Sequence, residues 1–209
     1  MSYYFRNKAL KSKKRERTRS ALIDSTIAEI AAKGFNNLSI KEVAQSAGLA
    51  NGTFYNHFDT LDDLIKHAVV AVAREIVENI AISIAGTDNG LERMILSTEK
   101  VIRLLVAEPD WGTIFVGAWH NFPEHRDNAI RFLQADLRKA KRQKLITVKV
   151  SRLLEDQIVG VILLGVATLI REGDKGKIRL ETHEAVLKLL GFEPAQAAEL
   201  VKHTLSKYE

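Results

Sequence analysis

The chain has 209 residues, a formal net charge of +5, 46% hydrophobic and 27% charged residues, and no cysteine. These proportions suit a globular chain. They exclude wholesale disorder, a collagenous or disulfide-stapled scaffold, thiol catalysis and cysteine-ligated zinc. Three prolines and twelve glycines are few for this length and speak against a turn-rich all-β fold. The positive charge is concentrated at the start. Within residues 1–17, Arg6, Lys8, Lys11, Lys13, Lys14, Arg15 and Arg17 face only Glu16, which leaves the remainder within one charge of neutral. Such an arm reads either as a flexible tail attracted to nucleic acid or as a solubilising tail. Residues 1–10 lack a secretory apolar run. The most apolar stretch, 158–170, is shorter than the roughly 20 residues of a spanning helix. No membrane partner is therefore expected, and the expected setting is cytoplasmic.

From Thr18 onward, Leu22, Ile23, Ile27, Ile30 and Ala31 recur at helical spacing. Gly34 is placed to end this helix in a left-handed cap, with Phe35 just beyond. Ser39-Ile40-Lys41-Glu42 fits a capping box, and Leu38 and Val43 occupy the positions of a hydrophobic staple. That short helix ends near Ala47, with Gly48 as the turn residue. A second short helix is predicted over 51–57. Its cap is weak because Ala50 has no side-chain acceptor, and Asn51 is the alternative cap. Thr60-Leu61-Asp62-Asp63 opens a long helix with Leu64, Ile65, Ala68, Val69, Val72, Ile76 and Ile80 near one stripe. Further helices are predicted over 91–107, 111–120, 123–142 (with Pro123 in its first turn), 150–171, 181–190 and 194–206. No strand alternation or internal repeat is visible, so the predicted fold class is all-α.

The unit from Ser39 to His57 is a short helix, a glycine turn and a second short helix, braced by the helix before it. This is the arrangement of a helix-turn-helix. Val43, Ala44, Ala47, Leu49, Phe54 and Phe58 are expected to bury against Ile23, Ile27 and Ile30. Asn51, Gly52, Thr53, Tyr55, Asn56 and His57 are left outside. These are hydrogen-bonding groups suited to phosphates and base edges, and Gly52 lets the backbone approach a phosphate. The competing reading is an ordinary pair of helices in a bundle.

Residues 17–70 resemble the N-terminal domain of the tetracycline-repressor (TetR) family of transcriptional regulators. The resemblance runs through Gly34-Phe35, Leu38 to Ala44, Ala47-Gly48-Leu49 and above all Gly52-Thr53-Phe54-Tyr55-Asn56-His57-Phe58. Ala50 and Leu61 depart from the family, which often has Ser or Thr at the first and Lys at the second. The resemblance implies a basic arm over 1–17, a DNA-binding domain over 18–65 and a helical effector-binding and dimerisation domain over 66–209. It also implies a homodimer that presents two recognition helices to a roughly palindromic operator in double-stranded DNA. Ser39, Lys41, Thr53, Tyr55 and His57 are then assigned mainly to phosphates, and Asn51, Thr53 and Asn56 to base edges. The helix over 150–171 is apolar all round and is expected in the dimer interface, with a central core helix as the alternative.

Trp111, Phe115 and Phe122 share one stripe with Ala118, and Trp119 lies beside it. Such aromatics are either core or the lining of a pocket for an apolar or aromatic small molecule. His120 and His125 are five apart around Pro123, which does not suit a metal pair. No cofactor motif, nucleophile elbow or acid pair with an evident catalytic role is present. The reading is a ligand-responsive regulator, most simply a repressor. The alternatives are a non-sequence-specific nucleic-acid binder and, behind it, a helical enzyme or carrier.

Overall fold

The structure is a computed structural model that describes residues 4–122, 126–173 and 177–208. The described residues form α1 (Tyr4–Lys8), α2 (Lys14–Lys33), α3 (Ile40–Ser46), α4 (Asn51–Phe54), α5 (Leu61–Ser83), α6 (Gly90–Ala107), α7 (Pro109–Asn121), α8 (Arg126–Arg142), α9 (Arg152–Glu172), α10 (Lys177–Leu189) and α11 (Pro194–Tyr208), with no strand among them. The fold is all-α. Pro123 and His125 lie outside the described residues. The chain divides into two compact units, residues 1–74 with 108–121 and residues 75–107 with 122–209. Helix α7 therefore belongs to the first unit, although the segments before and after it belong to the second.

In the first unit, Leu22, Ile27 and Ile30 of α2 are buried with Val43 and Ala44 of α3, Phe54 of α4, and Phe58, Leu64 and Ala68. Local signals fix the angles between these helices. The Ser39 hydroxyl accepts from the Glu42 N–H at 3.2 Å and donates to its carboxylate at 2.6 Å. Thr60 Oγ1 accepts from the Asp63 N–H at 3.0 Å. Gly34 ends α2 at φ 78° and Gly48 turns the chain at φ 71°, a region that strains any residue with a Cβ. Helix α7 packs on α2, and Gly117 sits against Phe35 just beyond the end of α2, where an added Cβ would lie 2.4 Å from Phe35 Cε2.

The segment expected as a flexible arm is different here. Residues 4–8 form α1, which packs on α2, and α2 starts at Lys14 rather than Thr18. Its opening turn is charged and solvent-facing, so apolar periodicity is silent there.

The second unit buries Leu91, Met94 and Ile95 of α6, Leu137 and Ala140 of α8, Ile158 of α9, and Val186, Leu187 and Leu190 around the end of α10, with Val201 of α11. Helix α9 is long and apolar enough to cross a membrane by length and composition. Within this unit it packs on α10, with Leu154, Ile158, Leu163, Val166 and Leu169 buried. Its burial is not uniform, because Leu153 (67%) and Leu164 (70%) are exposed. Gly165 sits against Thr182 of α10, where a Cβ would come within 2.4 Å of the Thr182 hydroxyl, whereas the Cβ position of Gly160 faces open space.

A buried charge cluster ties α6 to α10. Glu99 Oε2 lies 2.8 Å from Nε2 of His183, and Glu99 Oε1 accepts from Arg179 at 2.5 Å and from Arg103. Burial alone would raise this carboxyl. The hydrogen bonds from His183 and Arg103, with the charges of His183 and Arg179, outweigh it and hold Glu99 down at about 2.

Candidate nucleic-acid interface

Helix α4 is one turn long. The predicted helix to His57 shortens because the chain leaves Phe54 through tight turns, with Asn56 N–H on Thr53 O at 3.3 Å and His57 N–H on Phe54 O at 2.9 Å. Phe54 and Phe58 anchor the segment from beneath, with ring centroids 6.1 Å apart. The residues between them turn outward. Tyr55 is 60% exposed, Asn51, Gly52 and Asn56 are exposed, and Thr53 and His57 are half-buried. Six of the eight residues singled out from the sequence thus fall on one short segment. Lys41 lies in the first turn of α3 and is exposed.

Three details bear on how free these side chains are. The N-terminus of α4 has no side-chain cap, with Ala50 in the cap position, so the Asn51 amide is not occupied in capping its own helix. The Ser39 hydroxyl is engaged in both directions with Glu42, which competes with any phosphate for it. Lys66, five residues after Leu61, pairs with Asp62 at 2.8 Å.

The structure adds two residues that periodicity did not point to. Arg19 of α2 lies over the Phe58 ring, 4.9 Å from its centroid. The charges of Arg15 and Arg19 act on His57. Its pKa is lowered, first by burial and then by these two cations, which favours the neutral ring. Its Nδ1 is buried without a hydrogen-bond partner among the described residues. The outer face is therefore uncharged at its centre and cationic at its border. No charged residue occurs between Glu42 and Asp59.

The model of the family described as bacterial regulatory proteins, tetR family, matches residues 22–68. Those residues, α2 to the start of α5, are thus similar to the DNA-binding domain of that family. An uncharacterized HTH-type transcriptional regulator of Haemophilus influenzae is 47% identical over 51 residues, and that match spans 24% of this chain and a quarter (25%) of the relative's length. Two solved structures share the fold over most of the chain. RolR in complex with resorcinol is 21% identical, with a TM-score of 0.64, covering 90% of this chain and 94% of RolR. FadR of Bacillus subtilis in complex with stearoyl-CoA is 20% identical, with a TM-score of 0.68, covering 83% of this chain and 98% of FadR. The segment from Asn51 to His57 lies inside the matched TetR-family region.

Of the four aromatics considered for a small-molecule pocket, three lie on α7 in the first unit and one in the second. Trp111 is 1% exposed and lies beneath Tyr4 and Phe5 of α1. Phe115 and Trp119 are half-buried on α7, and Phe122 is buried in the second unit.

Proposed function

We propose that the protein is a ligand-responsive, homodimeric transcriptional regulator, a repressor, that binds a roughly palindromic operator through α3, α4 and the turn to His57. The observation that carries this reading is the exposed, uncharged, hydrogen-bonding face of 51–57 with cations along its edge. Asn51, Thr53 and Asn56 are the base-reading candidates, and Tyr55, His57, Lys41 and Ser39 the phosphate contacts. A solvated helix without a partner would more often carry Glu and Lys here.

The exposed Leu153 and Leu164 of α9, the open side of Gly160 between them, and Leu180 of α10 (37% exposed) supply an apolar face for a second copy of the chain. For ligand response, α7 is joined at both chain ends to the second unit and packs on α2. A small molecule that binds one position of α7 better than another would shift the orientation of the DNA-binding helices, in proportion to that difference in affinity. Phe115 and Trp119 on α7 favour an apolar or aromatic effector, and RolR and FadR hold resorcinol and stearoyl-CoA in their structures. The protein acts in the cytoplasm, where its DNA is, and uses no catalytic group.

Selection of bound duplexes from random DNA, followed by titration against the selected site and a scrambled one at two salt concentrations, tests the reading. A preference of at least ~10³ is expected. A preference near one would favour non-specific nucleic-acid binding through the basic N-terminal segment instead.

A further inference from the structure

Asp24 is an acid in a place where apolar residues belong. It is 2% exposed on α2, between Ile23 and Ile27 of the core stripe. A carboxylate there is costly unless its oxygens are hydrogen-bonded. Both are, by groups eighteen and nineteen residues away. Asp24 Oδ1 accepts from the Phe5 N–H at 3.0 Å and Oδ2 from the Arg6 N–H at 2.8 Å. These amides belong to the first turn of α1, which a helix leaves without internal partners. Burial pushes the Asp24 carboxyl up to about 6, while those N–H groups and the Arg6 charge pull the other way.

A second attachment lies on another element. The Tyr4 ring meets Trp111 of α7 edge-on at 4.6 Å, and the Phe5 ring stacks on it at 5.5 Å. Beyond α1 the chain turns back into α2. Ser12 N–H bonds to Ala9 O at 2.9 Å, and Arg17 Nη1 donates to Ser12 O at 3.3 Å. Both ends of the turn are thus held. Lys11, Lys13, Lys14 and Arg15 around it are exposed, and Arg15 is near enough to His57 for its charge to act there.

We propose that α1 is a clasp, docked through Asp24 and Trp111, that fixes this basic turn as a second phosphate-binding surface of the first unit. The proposal rests on the DNA-binding reading above. A free tail of the same charge would lose conformational freedom with each residue it orders on the duplex. The docked turn has been ordered in advance. Duplex DNA is the partner whose charge and extent match an exposed cationic turn beside the recognition segment.

The test uses the full chain with Trp119→Phe, so that Trp111 is the remaining indole, and a mixed-sequence duplex as probe. One variant, Tyr4→Ala with Phe5→Ala, removes both ring contacts with Trp111, leaves α1 only its backbone bonds to Asp24, and keeps every charge. Phe5→Ala alone serves if that variant fails to fold by circular dichroism. A second variant, Lys11→Gln with Lys13→Gln and Lys14→Gln, removes charge and keeps the docking. Acrylamide quenching of Trp111 reports docking, and the dependence of duplex affinity on salt reports phosphate contacts. The undocked variant is expected to expose Trp111, to bind roughly tenfold more weakly at about 0.15 M salt, and to lose about 1 in the log–log salt slope. The charge variant is expected to keep Trp111 shielded and to lose up to about 2.7 in slope. Unchanged quenching in the undocked variant would overturn the docking. Trp111 exposed with unaltered duplex binding would show that the cations act as a free tail, contrary to the proposal. An unchanged slope in the charge variant would remove the phosphate role. No duplex binding by the parent would sink the DNA reading and the phosphate role with it, and the quenching of Trp111 would then decide separately whether α1 docks.

Discussion

Gly52→Ala should move stability and DNA affinity in opposite directions. Gly52 lies in α4 without a positive φ, and no heavy atom lies within 4 Å of the position a Cβ would take. In the free protein the new methyl therefore meets nothing. An alanine in a helix is favoured over glycine by about 0.5–1 kcal/mol, with the lower end suited to a helix of one turn. For a chain near this size each kcal/mol is worth roughly 2–4 °C, so the melting temperature should rise by about 1–3 °C. On DNA the same methyl holds the backbone away from the duplex. A lost hydrogen bond to a charged group is worth about 1.5–3 kcal/mol, or roughly ten- to a hundredfold in Kd. Thermal denaturation and fluorescence anisotropy with a selected duplex read the two effects separately. A higher melting temperature with unchanged affinity would show that the segment does not lie against DNA. A lower melting temperature would refute the structural premise that Gly52 faces open space.

The other expectations concern specificity, assembly and acid stability. Asn56→Ala should flatten base preference at one operator position, whereas Tyr55→Phe should weaken binding on selected and scrambled duplexes alike; equal losses on both duplexes for Asn56→Ala would argue against base reading. Leu153→Glu with Leu164→Glu places two charges on the exposed face of α9 and should shift the protein toward monomer in sedimentation without altering its helical signal; an unaltered sedimentation coefficient would count against this face as the interface. Glu99 is held well below its ordinary value, so its contribution to stability is complete above about pH 4.5 and is lost as pH falls toward 2. Glu99→Gln should lower the melting temperature at pH 7 and flatten its decline between those pH values, and parallel curves for the two proteins would contradict that assignment.

What could be read from the residues was what is decided locally. Ser39 and Glu42, and likewise Thr60 and Asp63, are three residues apart, and a helix start brings such pairs together whatever surrounds them. Gly48 and the burial of Phe54 and Phe58 follow from a turn of a few residues. The exposed composition of 51–57 was legible because its apolar positions, Phe54 and Phe58, are so clearly separated from its polar ones. What escaped depends on distant partners. Nothing near Asp24 in the chain marks it as the cap of α1, because the amides it accepts from are eighteen and nineteen residues earlier. Trp111 read as a candidate pocket residue because its actual neighbours, Tyr4 and Phe5, lie in a segment whose charge suggested a loose tail. Arg19 is one more cation in a charged stretch until the fold lays it over Phe58. Helix α9 was uniformly apolar on paper, and only its packing on α10 separates buried Ile158 and Val166 from exposed Leu153 and Leu164.

The most direct measurement is photocrosslinking of a selected duplex carrying a photoreactive thymine analogue, with the attached peptide identified by mass spectrometry. The account predicts crosslinks within residues 51–57, Tyr55 foremost, at both half-sites of an inverted repeat. Crosslinks confined to α9, α10 or α11, or a pattern indifferent to the duplex sequence, would contradict it.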